Sequence, residues 1–140
     1  MSVLVLDPGN STGWVFEGSG NGLVGGTVRE NHADVADLLK QLNPDTVVYE
    51  TFQMYPGKAQ KLIWNTFYPC EVIGVIKCYC QTNNIPIVGL QPSVKKFALA
   101  PHEQDSWKRV AIVDNTGKAT EHTRDAYRLY MYYVRNYQAK

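Results

Sequence analysis

The stretch Val3–Trp14, VLVLDPGNSTGW, decides how the rest of the chain is read. Its four apolar residues barely alternate with polar ones, the pattern of a strand buried on both faces in the middle of a sheet. Asp7 ends the run and Pro8-Gly9-Asn10-Ser11-Thr12-Gly13 follows at once. Two explanations are open for that carboxylate. It could cap an Asx-type turn with Asn10 or Ser11. Alternatively, it is an anion held rigidly at a strand's carboxyl end, the edge of an open α/β sheet where ligands bind. Gly9 and Gly13 suit close approach of a backbone or a ligand under either explanation.

Outward from that strand the pattern stays regular. TGWVFEG and GLVGGTVRE flank the turn cluster Ser19–Gly22 and predict an antiparallel hairpin. Asn31 is placed to cap a helix in which Val35, Leu38, Leu39 and Leu42 recur at helical spacing, ending at Asn43-Pro44. DTVVYE, Asp45–Glu50, is the next strand, parallel to the first because a helix crosses between them. A loop follows over 52–58, then a long helical region over 59–83 with a boundary or kink at Pro69. Ile85–Leu90 reads as a strand, Pro92–Ala98 and Asp105–Val113 as short helices, and Glu121–Tyr137 as the last helix. The expectation is a single α/β domain over residues 1–140, a five-stranded mixed sheet with helices on both faces.

Length and composition agree with that class. At 140 residues and 44% hydrophobic content the chain suits one core. Its apolar stretches fall well short of the roughly 18 residues a spanning helix needs, so a soluble, intracellular protein with no membrane partner is expected. Cys70, Cys78 and Cys80 form neither a zinc pattern nor a disulfide framework. The net charge of +1 conceals an asymmetry, −3 over residues 1–90 and +4 over 91–140. That distribution suits a cationic face for phosphates beside an acidic pocket, although a solvated charged surface would look the same.

The acids carry the chemistry. Asp7 and Glu50 both fall at carboxyl ends of parallel strands and would lie side by side if those strands are neighbours. Close carboxylates repel unless they share a proton or bind a cation, and oxygen ligands suit Mg²⁺ or Mn²⁺. A lysine partner for Glu50 is the competing explanation. In the last helix His122 and Asp125 are three apart on one face, and Arg124 and Arg128 form another stripe. Its apolar residues, among them Ala126, Leu129 and Met131, would pack it on the sheet and carry Asp125 toward the strand-end acids.

The strand ending in DPG, the strand ending in YE before an aromatic loop, VKK after a third strand, and the helix carrying HTRDA occur in this order from Val3 to about Tyr133. Together they resemble the RuvC-type Holliday-junction resolvases of the ribonuclease H-like superfamily. The resemblance implies a ribonuclease H-like fold and a structure-selective DNA endonuclease with two divalent ions, Mg²⁺ or alternatively Mn²⁺. It assigns Asp7 to both ions, Glu50 to one and Asp125 to the other. His122 then ligates a metal, orients the water or shuttles a proton. Lys95, Lys96, Lys108 and Arg109 become DNA-contacting cations, and Phe52, Met54 or Tyr55 the side chain inserted at the junction centre, unless these aromatics merely cover the sheet edge.

The implied partners are four-way DNA junctions and a second copy of the chain, with residues Ile63, Trp64, Phe67 and Ile73 on the dimer face. The implied location is the cytoplasm of a bacterium or a phage-infected host cell. A nuclease for flaps or other branched DNA, a non-catalytic DNA-binding module, and a fragment of an actin-like ATPase, suggested by DPGNSTG, are the competing functions.

Overall fold

The protein is described by a computed structural model over residues 1–18, 20, 22–29, 31–52, 68–114 and 116–138. Among these residues six strands make one mixed sheet in the order β5-β4-β1-β2-β3-β6. β1 (Val3–Asp7) lies in the interior, antiparallel to β2 (Ser11–Glu17) and parallel to β4 (Thr46–Glu50). β2 continues antiparallel to β3 (Leu23–Arg29), and β4 pairs in parallel with β5 (Ile87–Leu90).

The unbroken apolar run of β1 has a direct cause. Leu4 and Leu6 point to one face of the sheet, where Val35 and Leu39 of α1 (His32–Leu42) and Val72, Ile76 and Cys80 of α2 (Tyr68–Thr82) bury them. Val3 and Val5 point to the other, under Ala126, Leu129, Tyr130 and Tyr133 of α3 (Glu121–Tyr133). Each such side chain contributes roughly 1.5–3 kcal/mol on full burial. Capping chemistry bounds the first helix: the Asn31 side chain accepts from the Asp34 N–H, and Asn43 turns left-handed at φ 44° after the last turn.

Several elements differ from expectation. Residues 105–113 form no helix. A single 3₁₀ turn, Ser106–Arg109, leads into β6 (Val110–Ile112), which pairs in parallel with the outer edge of β3. The sheet therefore has six strands rather than five. A three-residue strand is too short to show a period, and its pairing is decided by the open edge of β3. The segment 92–97, read as a helix, is likewise 3₁₀. α3 ends at Tyr133 and runs on as a π-helical turn over Val134–Gln138.

Pro69 lies in the first turn of α2, where its missing N–H costs nothing. The part of the expected long helix before residue 68, with Ile63, Trp64 and Phe67, lies outside the described residues. All three cysteines are free thiols. No helix among the described residues is long and apolar enough to cross a membrane.

Candidate active site

Strand parity brings the first two acids together. Asp7 continues the Val3 and Val5 side of β1, and Glu50 continues the Val48 side of β4, so both carboxylates emerge on the α3 face. The register Leu6↔Tyr49 places them next to one another at the carboxyl edge of the sheet. Asp7 is only 9% exposed. Burial, then the hydrogen bonding and charge of Glu50, push its carboxyl from 3.8 up to about 8, against the opposing pull of Lys95. The turn after β1 takes no part of its order from this carboxylate: the Thr12 hydroxyl closes it, accepting from Gly9 N–H and donating to Gly9 C=O.

Lys95 enters from the 3₁₀ turn after β5. Its Nζ lies 2.9 Å from Glu50 Oε2 and 3.6 Å from Asp125 Oδ2. Burial would lower the affinity of Lys95 for its proton, but Glu50 first, then Asp125 and Asp7, outweigh it and hold the ammonium above its ordinary range. The contact with Glu50 is short, yet no donor among the described residues meets the buried Oε2 at a hydrogen-bonding angle. We therefore treat it as an ion pair that leaves this oxygen able to accept more. Both Asp7–Glu50 proximity and a lysine partner for Glu50, offered as alternatives by the sequence, occur at once.

α3 supplies the rest. Its first turn lies directly on the bare backbone of β2: a Cβ on Gly13 would fall 2.0 Å from the His122 carbonyl oxygen. What Gly13 admits is thus a helix backbone. Three hydroxyls hold the same turn to β3, with Thr27 Oγ1 2.7 Å from Thr120 Oγ1 and 3.1 Å from Thr123 Oγ1, while Thr123 donates to Gly26 C=O at 3.0 Å. So anchored, α3 puts His122 Nδ1 3.9 Å from Asp7 Oδ2 and brings Asp125 to Lys95. Arg128 clamps the other oxygen of Asp125 at 2.7 Å. Thr27, Thr120, Thr123 and Arg128 are not assigned to the site by the sequence; the local signals are the T-x-x-T spacing of Thr120 and Thr123, which overlaps HTRDA, and the position of Arg128 three residues after Asp125.

The remaining candidates scatter. Lys96 and Lys108 are exposed. Arg109 is exposed but engaged against α3: its Nε donates to the Tyr127 hydroxyl at 3.0 Å, its Nη2 to the Met131 sulfur, and its guanidinium lies over the Tyr127 ring. Phe52 is 37% exposed, just past Glu50, whereas Met54 and Tyr55 lie outside the described residues. Of the tyrosines on the last helix, Tyr127, Tyr130 and Tyr133 are core, and Tyr137 is half exposed.

The donor set suits a hard divalent cation. Asp7, Glu50 and Asp125 offer carboxylate oxygens only, a buried Glu50 oxygen lacks a hydrogen bond, and burial together with the neighbouring Glu50 drives Asp7 toward its protonated form. Among the described residues no three His, Cys, Asp or Glu side chains are gathered as a ready-made metal group. Here Lys95 supplies the cationic charge.

No family model and no curated protein matches the sequence. Solved structures do. T. thermophilus RuvC in complex with a Holliday junction substrate aligns over 96% of this chain and 95% of its own, at 19% identity and a TM-score of 0.68. Fowlpox virus resolvase with its substrate Holliday junction DNA aligns over 94% and 97%, at 18% identity and a TM-score of 0.54. The yeast mitochondrial Holliday junction resolvase aligns over 95% of this chain and 77% of its own, at 14% identity and a TM-score of 0.54. The chain thus has the ribonuclease H-like fold of the RuvC-type resolvases.

Proposed function

We propose that this chain is a metal-dependent endodeoxyribonuclease that resolves four-way DNA junctions by phosphodiester hydrolysis. The observation that carries this reading is the convergence of Asp7, Glu50 and Asp125 around Lys95 at the carboxyl edge of the sheet. The shared fold supports it, since the aligned structures include two resolvases bound to junction DNA.

Asp7, Glu50 and Asp125 would hold two divalent ions, Mg²⁺ or Mn²⁺, which when bound activate a water and stabilise the departing oxygen. Lys95, whose ammonium lies against Glu50 and Asp125, would be the cation placed to meet the phosphate being cut. His122, with nearly half its side chain exposed and its ring beside Asp7, takes the proton of the attacking water as the new P–O bond forms and the bond to the 3′ oxygen breaks. Arg128 keeps Asp125 oriented through its second oxygen. Three acids alone would repel a phosphodiester, so the pocket works only when loaded. Lys96 and Lys108 would meet the DNA backbone, and Phe52, with Met54 and Tyr55 in the following loop, is the candidate for stacking on an unpaired base.

Paired cuts on a symmetric junction call for a homodimer. The solvent side of α2, with exposed Gly74, Lys77 and Cys78 and half-buried Ile73 at its edge, is its candidate seam.

The deciding experiment incubates the protein with a synthetic four-way junction, a flap and a linear duplex, with Mg²⁺ and with chelator. Symmetric nicks confined to the junction and abolished by chelator are expected. Preference for the flap would transfer the reading to branched replication DNA. Equal cutting of the linear duplex would overturn structure selectivity.

A further inference from the structure

The arginines beyond residue 91 are mostly committed. Arg109 serves Tyr127 and Met131, Arg128 serves Asp125, and Arg135 serves Glu103 and the Ala98 carbonyl. Arg124 differs. Among the described residues its side chain has no carboxylate and no hydrogen-bond acceptor; its partner is a ring, with the guanidinium carbon 4.6 Å from the Trp107 centroid. Lys108 Nζ lies 6.0 Å from the same centroid. Two cations thus gather on one indole, and none of Asp105, Glu121 and Asp125, the acids nearest them in sequence, makes an ion pair with either.

We propose that Arg124, stacked on Trp107 and assisted by Lys108, is a clamp for a DNA backbone phosphate next to the one that is cut. This rests on the nuclease reading above. A guanidinium held over an indole keeps N–H donors free of the ring, and those donors can meet two phosphate oxygens at once. Trp107 is half-buried and packed against the core under α3, so the platform is rigid before DNA arrives. An anion is what relieves two like charges held on one ring. Arg124 immediately precedes Asp125 on α3, and its side chain leaves the helix about 100° around from the acid. It therefore reaches a flanking phosphate and leaves the scissile one to Lys95.

The test measures binding of a labelled four-way junction by fluorescence anisotropy, with chelator so that nothing is cut, over a series of salt concentrations. Arg124→Ala should weaken binding about ten-fold or more and reduce the log–log salt slope by about one. Arg124→Lys should keep the slope while recovering only part of the affinity, because it restores charge without the fork. Trp107→Leu, which leaves both cations in place, should weaken binding with the slope unchanged. A wild type that binds junctions while Arg124→Ala matches it in affinity and slope overturns the clamp alone. A wild type that binds no DNA at any salt, either with chelator or with Mg²⁺, overturns the clamp and the nuclease reading together.

Discussion

β1 and β4 run side by side, and an acid stands at each end of the pair under opposite conditions. At the amino end, Asp45 receives the Ser2 N–H at 2.8 Å and the Ser2 hydroxyl at 3.1 Å in the open, and those hydrogen bonds hold its carboxyl below the ordinary range. At the carboxyl end, Asp7 is buried beside Glu50, and its carboxyl is driven up to about 8. The same two strands therefore end in a satisfied acid and a crowded one. The satisfied end secures strand pairing. The crowded end is strained against folding in a way that a bound cation would relieve, the pattern expected where a fold gives up stability for chemistry.

Removing the crowding is the most drastic way to break this contrast. Asp7→Asn should abolish metal-dependent cleavage by about a thousandfold, equivalent to ~4 kcal/mol of barrier. The same change should raise the stability of the metal-free protein at neutral pH by ~1–3 kcal/mol, since the cost of keeping a buried carboxyl protonated beside Glu50 is gone. Nicking assays and chelated denaturant unfolding read the two effects. An inactive variant that is also less stable would contradict the account of Asp7.

Displacing α3 attacks the crowded end from outside. Gly13→Ala puts a methyl where the His122 carbonyl lies, so α3 must lift from β2. A stability loss of ~1–3 kcal/mol is expected, together with loss of cleavage, because Asp125 and His122 leave the strand-end acids. The Asp7 side chain itself is untouched, which makes the variant a test of delivery.

Titration separates the two ends by sign. Asp7 binds its proton more tightly folded than unfolded, so its contribution is complete below about 3.8 and is lost as pH rises toward 8. Asp45 is the reverse: its contribution is present above the ordinary carboxylate range and fades as pH falls below it. Chelated unfolding between pH 4 and 8 should show stability declining with pH, flattened by Asp7→Asn and unaffected on that limb by Asp45→Asn. The mildest change is Ser2→Ala at the satisfied end, which should lower the melting temperature slightly and leave cleavage alone.

The elements legible in the sequence are those whose signal is local. β1 through β4, α1 and α3 follow from apolar periodicity and from Asn31 and Asn43 at the ends of α1. β6 escaped because three residues carry no period and its partner, β3, is more than eighty residues earlier. For the candidate site, the carboxyl ends of parallel strands pointed to Asp7 and Glu50, and helical spacing put Asp125 on one face with His122. Lys95 between the acids and Arg109 against α3 depend on which side chains meet across sequence separations of 18 to 45, and no spacing rule records that; the Arg128–Asp125 pair, three apart on one helix, is one that helical spacing does record.

The sequence by itself thus determined which strands are buried, where they end, and that two acids stand at those ends, because periodicity and side-chain alternation are properties of a single segment. Only the tertiary structure decided that α3 rests on Gly13, that one lysine serves two acids, and that Arg124 stacks on Trp107. Those depend on how surfaces from distant segments pack, and packing is settled by shape and charge in three dimensions.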